Sequence, residues 1–120
     1  MDGRAQLPVI HWLRRRFGVP FVDMITEAGP NRILAEAGEP DKVNAILRRV
    51  DISVERHSSK AIALAGHFDC AGNPADHGTQ LEHIRRGVRL LRKRYAGLEV
   101  VGLWLDERFE VHEVAVEDSN

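Results

Sequence analysis

The chain reads as an α/β protein: a three-layer α/β/α sandwich around a mainly parallel sheet, closed by an antiparallel edge hairpin. Three observations predict this. Apolar runs of strand length alternate with stretches whose apolar residues recur at helical spacing. Residues 61–65, Ala-Ile-Ala-Leu-Ala, form an unbroken run of small and aliphatic side chains closed by Gly66, as a strand covered on both faces requires. Near the C-terminus, Asp106-Glu107-Arg108 separates two β-rich runs in the manner of a hairpin turn. At 120 residues, the chain is one domain spanning 1–120.

In order, Leu7, Ile10, Leu13 and Phe17 fall at helical spacing. They predict a helix over 6–17, with Pro8 in its first turn and Gly18 ending it. Residues 19–25 (VPFVDMI) are rich in β-formers and predict a strand, stopped by the turn-forming residues 26–30. Residues 31–37 make a short helix at best. The Glu39-Pro40-Asp41 start and the stripe of Val43, Ile46, Leu47, Val50 and Val54 predict a helix to about His57. After the 61–66 strand, Asp76 is an N-cap candidate. Leu81, Ile84, Val88, Leu91 and Tyr95 then keep one face through a long helix ending before Gly97. Residues 99–105 (EVVGLWL) and 109–116 are the hairpin strands, and 117–120 a polar tail.

The composition narrows the function. Seventeen basic residues balance eighteen acidic ones, so net charge calls for neither nucleic acid nor an acidic membrane surface. Arg14-Arg15-Arg16 and the arginines of 85–94 lie on helical patterns and read as solvated faces. A single cysteine forms no internal disulfide, which points to a reducing interior or to a thiol with a role. No apolar run approaches a membrane span or a signal-peptide core, so the expected location is cytoplasmic.

His67 and Cys70 project from the carboxyl end of the 61–66 strand, where open α/β sheets place their ligands. A thiolate and an imidazole three residues apart are the softest donor pair in the sequence and suit Zn²⁺. Two donors do not make a site. A structural cysteine capped by a loop histidine accounts for the same residues, and a Cys–His nucleophile pair lacks a third group to orient the base.

The surrounding motifs add to this. Gly66-His67-Phe68-Asp69-Cys70 at a strand end, Gly102-Leu103-Trp104-Leu105-Asp106 in a later strand, and Asp2-Gly3-Arg4 at the chain start occur in that order. In this the chain resembles the β-class carbonic anhydrases, as a small carbonic-anhydrase-like protein. That family carries Gly-His-x-x-Cys, a Gly-x-x-x-Asp strand and Cys-x-Asp-x-Arg, and the resemblance covers nearly the whole chain. It implies reversible hydration of CO₂ to bicarbonate by zinc-bound hydroxide. His67 and Cys70 would be metal ligands, Asp2 and Arg4 the catalytic dyad, and Gly72 a point of close backbone approach. Ala71 stands where many members have glycine.

The first cysteine of Cys-x-Asp-x-Arg, and the apolar strand carrying it, would precede Met1. The expectation is therefore a chain truncated at its N-terminus and lacking the first strand. The other reading is a degenerate, catalytically inactive member kept as a dimeric binding or scaffold protein. The resemblance further implies a homodimer and a small-molecule substrate, either CO₂ or, as in relatives of similar build, carbonyl sulfide or carbon disulfide. Weighed without the family, Asp2 and Arg4 read as a solvated terminus and Asp69 as a turn residue. His77 and His83 read as surface or capping groups, with His77 a conceivable substitute ligand. His11, His57 and His112 receive no role, and Trp12, Phe17 and Trp104 read as core or subunit-contact aromatics.

Overall fold

Seven elements follow one another in a computed structural model that describes residues 1–118. They are α1 (Gly3–Phe17), α2 (Pro30–Glu36), α3 (Pro40–His57), β1 (Ala61–His67), α4 (His77–Arg94), β2 (Glu99–Leu105) and β3 (Val111–Val114). The sheet has the order β1-β2-β3. β1 and β2 run parallel, with Ala61 opposite Glu99 and His67 opposite Leu105. β2 and β3 run antiparallel, with Leu105 opposite Val111.

Alternation along the strands sorts the core into two clusters, because successive side chains leave opposite faces of a sheet. Leu64, Val100 and Trp104 pack with Leu34 of α2, Ile46, Leu47 and Val50 of α3, and Ile84, Val88 and Leu91 of α4. Val101, Leu103 and Leu105 pack with Val9 of α1, joined by Ala63, Ala65, Trp12, Leu13 and Phe17. Two glycines admit one side chain to the sheet. A Cβ on Gly66 would lie 2.7 Å from Asn31 Nδ2 and 3.0 Å from Ile84 Cδ1, and one on Gly102 would lie 2.6 Å from Ile84 Cγ2. Ile84 therefore fills the hollow at Gly102 and shares the one at Gly66 with Asn31.

Tyr95, at the end of α4, ties α4 to α3. Its hydroxyl donates to Asp51 Oδ1 at 2.5 Å, near the Leu47 carbonyl at 3.2 Å, while Arg94 Nη2 donates to Asp51 Oδ2 at 2.8 Å. The Arg94 hydrogen bond, then the Tyr95 one, holds the Asp51 carboxyl below its ordinary range. Tyr95→Phe removes the hydroxyl and leaves a partly buried carboxylate short of one donor. It should cost about 1–2 kcal/mol, read as a lower urea midpoint at unchanged slope.

The sequence reading needs correction at several points. The sheet is mixed rather than mainly parallel, with one parallel and one antiparallel pair, because residues 19–25 do not form a strand. That segment makes no ladder with a strand, Pro20 has no N–H to give one, and Phe21 is 88% exposed. Among the described residues β1 pairs only with β2, and an apolar groove of about 1340 Å³ separates its other edge from 19–25. α1 begins at Gly3 rather than residue 6, since Asp2 caps it by accepting from the Arg4 N–H at 2.9 Å. Pro8 thus sits in the second turn. β3 is shorter than 109–116, and the tail expected over 117–120 lies partly outside the described residues. No helix among them is long and apolar enough to cross a membrane.

Candidate metal centre at the tip of β1

β1 ends where its ladder with β2 ends. The Phe68 N–H still donates to the Leu105 carbonyl at 2.9 Å. Asp69 then turns the chain with φ +59°, a left-handed conformation that aspartate tolerates better than most residues. His67 is buried at the strand tip, and Cys70, a free thiol, is half-buried three residues on. His67 Nδ1 lies 2.8 Å from the Phe68 carbonyl. A carbonyl only accepts, so Nδ1 carries a proton, which leaves Nε2 as the ring nitrogen on which a metal could be held.

The chain start comes to the same place. Arg4 grips the Asp2 carboxylate with Nη2 at 2.6 Å from Oδ2 and Nε at 3.1 Å from Oδ1. The same Nη2 reaches the Asp69 carbonyl at 3.4 Å and its carboxylate at 3.5 Å. The Arg4 guanidinium lies 4.7 Å over the Phe109 ring, whose centroid is 5.9 Å from the His67 ring. Asp2 and Arg4 are thus paired with each other and linked to the His67 tip through Asp69 and Phe109, and Asp69 is a turn residue that also faces Arg4.

Hydrogen bonds from the Arg4 side chain and then its backbone hold the Asp2 carboxyl far below the ordinary 3.8. A depressed folded value contributes stability that is present above the unfolded carboxylate range and is lost as pH falls through the folded value. Arg4→Ala should return Asp2 toward 3.8, read by a carboxyl-carbon NMR titration. An Asp2 that titrates alike in both proteins would contradict the pairing.

The Cys70 loop is held from two sides. A Cβ on Gly72 would lie 2.5 Å from the Ala28 carbonyl carbon, so the loop backbone rests directly on the 28–29 turn. On the other side stands a buried polar cluster that the sequence reading missed. His83 is buried, not at the surface, with Nδ1 2.9 Å from Asn73 Nδ2, and Gln80 Nε2 donates to the Asn73 and Ala75 carbonyls, both at 3.0 Å. Positions 80 and 83 fall on the same helical stripe as Ile84 and Val88, and that spacing was the available signal. His77 is exposed and stands edge-on to Trp104 at 4.8 Å.

In donor type, His67 and Cys70 fit a borderline divalent ion. Among the described residues they lack an assembled third donor. Zinc bonds of about 2.0–2.3 Å demand closely gathered donors. Asp2, His67 and Cys70 are not such a set. The one triplet among the described residues whose donor atoms lie within 4.8 Å of one another is Asp106, Glu110 and His112. There His112 Nε2 meets Asp106 Oδ2 at 2.7 Å, while Asp106 Oδ1 accepts the Arg108 and Glu110 N–H groups. The His112 hydrogen bond is the main cause of the lowered Asp106 pKa. His112, given no role from sequence, is thus part of the hairpin's own structure.

Fold and site together define a class: an α/β protein with a mixed sheet, a buried histidine at one strand tip, a cysteine three residues on, and a carboxylate–guanidinium pair that reaches the turn between them. Within it, the model of a family described as "Putative carbonic anhydrase" matches residues 1–115. The chain belongs to this carbonic-anhydrase-like family. No curated protein and no solved structure matches the chain.

Proposed function

We propose that the chain is a zinc-dependent lyase of the carbonic anhydrase type, hydrating CO₂ or a related linear molecule. His67 and Cys70 would hold the ion, with Asp2 and Arg4 as the flanking dyad. The observation that carries this reading is the convergence of Asp2 and Arg4 with the His67 tip around Phe109, across more than sixty residues of sequence. Family membership supports it. In finer detail the reading extends to the β-class three-layer sandwich, a homodimer and a cytoplasmic location. The exposed apolar side chains of Leu7, Phe21 and Ile52 offer surface for a subunit contact.

When bound, zinc supplies the Lewis acidity that makes hydroxide available from water near neutral pH. The protein supplies the rest. His67 enters as the neutral Nδ1–H tautomer, fixed by the Phe68 carbonyl, and Cys70 as the soft anionic donor. Arg4 holds Asp2 ionised, so its carboxylate can only accept, and a hydroxyl proton beside it is oriented by that constraint. Phe109 walls the site with apolar surface and keeps the Arg4 charge close.

Two observations favour the catalytically silent reading, in which the fold serves as a dimeric binding or scaffold module: Arg4 engages both Asp2 oxygens, and among the described residues no third donor joins His67 and Cys70. Stopped-flow CO₂ hydration by the zinc-loaded full chain separates the two. The enzyme reading expects catalysis that Asp2→Asn lowers about 100-fold, with zinc content unchanged. Hydration at the uncatalysed rate despite one zinc per chain would leave the silent reading.

A further inference from the structure

The β1–β2 ladder fixes His67, but Cys70 lies beyond it, in a loop with no ladder of its own. Its place must be set by other contacts. The Asn73 N–H donates to the Cys70 carbonyl at 3.3 Å and closes the turn that carries the thiol. The Asn73 carbonyl accepts from Gln80 Nε2 at 3.0 Å, and its carboxamide Nδ2 donates to His83 Nδ1 at 2.9 Å. Asn73 is only 3% exposed, and both α4 partners are buried. One residue therefore joins the Cys70 turn to the first two turns of α4 through three hydrogen bonds.

The chemistry of the amide says which of its atoms matters. Asn73 Oδ1 is buried with no hydrogen-bond partner among the described residues. An apolar side chain would fill the same space without stranding a buried polar atom, so the fold tolerates the amide for the sake of its one side-chain bond, to His83.

We infer that Asn73 is a positioning residue: anchored on Gln80 and His83, it sets the Cys70 sulfur relative to His67, so that α4 governs the geometry of the donor pair. The inference rests on the reading of His67 and Cys70 as ligands, and its test separates the two. In the full chain, Cd²⁺ titration follows the sulfur-to-metal charge-transfer band, and iodoacetamide alkylation of the metal-free protein reports the exposure of Cys70. Circular dichroism confirms folding.

Asn73→Ala should fold, lower Cd²⁺ affinity about 10–100-fold, as loss of support behind a ligand does, and speed alkylation several-fold. Gln80→Leu removes the carbonyl anchors while keeping the bulk, and should move both readouts in the same direction. It decides the matter if Asn73→Ala does not fold. Wild-type affinity and wild-type alkylation rate in a folded variant would overturn the positioning role. If the wild-type chain gives no charge-transfer band while the variants still alkylate faster, the ligand reading falls and the anchoring of Cys70 stands.

Discussion

Cys70→Ser should strip zinc from the full chain and reduce CO₂ hydration to the uncatalysed rate, while leaving the melting temperature of the metal-free protein unchanged. The size of the effect follows from what serine lacks. Loss of an outer-shell partner already costs about 10–100-fold in metal affinity. Exchanging a thiolate for a hydroxyl that stays protonated at neutral pH removes a first-shell anionic donor and costs more. Stability should hold because Cys70 is half-buried in a loop and serine is nearly isosteric with it; such changes usually fall within about 0.5 kcal/mol. Equilibrium dialysis with zinc, run beside a thermal scan, reads both quantities. Glu110→Gln is the control, because it breaks the Asp106, Glu110 and His112 triplet and leaves the β1 tip alone. Zinc lost from Glu110→Gln and kept by Cys70→Ser would move the metal to the hairpin.

The second large effect concerns the fold beneath the site. Ile84 is fully buried and occupies the space that Gly66 and Gly102 leave on adjacent strands. Ile84→Ala opens a cavity that neither strand can close, since the glycines have no side chain to move into it and the neighbouring Asn31 amide is held by the Ala65 carbonyl. A cost of about 4 kcal/mol is expected, toward the upper part of the range for such truncations. For a chain of this length that is a fall of roughly 15 °C in melting temperature. The cavity lies directly behind Gly66, so the His67 tip should loosen with it, seen as faster amide exchange at residues 66–68. A loss below about 1 kcal/mol would mean that the sheet collapses onto the gap and that the glycine hollows are not specific to isoleucine.

Much of this arrangement was legible in the amino-acid order, for reasons that can be named. Residues 61–66 announced a strand because five small or aliphatic side chains followed by glycine suit little else, and the Ile84 stripe announced α4 because it runs for four turns. Both signals are local, and tertiary contacts reinforced them. Residues 19–25 misled because β-propensity is a statement about fitting a pleated, half-buried surface, and a groove keeps that segment from pairing with the β1 edge opposite β2. The burial of His83 was missed for a related reason. A histidine among charged residues looks solvated until a loop folds over it, and that loop is tied down by Asn73, ten residues earlier in the chain. The Asp2–Arg4 pair was visible only as a motif. Its role as the α1 cap is local and was open to an N-cap reading of Asp2, but its contact with the Asp69 turn depends on where α1 packs, and no spacing in the sequence encodes that.

The central claim is that a metal belongs at the β1 tip, with Cys70 among its donors. X-ray absorption at the zinc edge of the zinc-loaded full chain tests it most directly. The account predicts a first shell containing one sulfur at about 2.3 Å together with nitrogen and oxygen donors, the sulfur disappearing in Cys70→Ser. A shell of nitrogen and oxygen alone in the wild-type protein, abolished by Glu110→Gln, would place the ion at the hairpin and contradict the account.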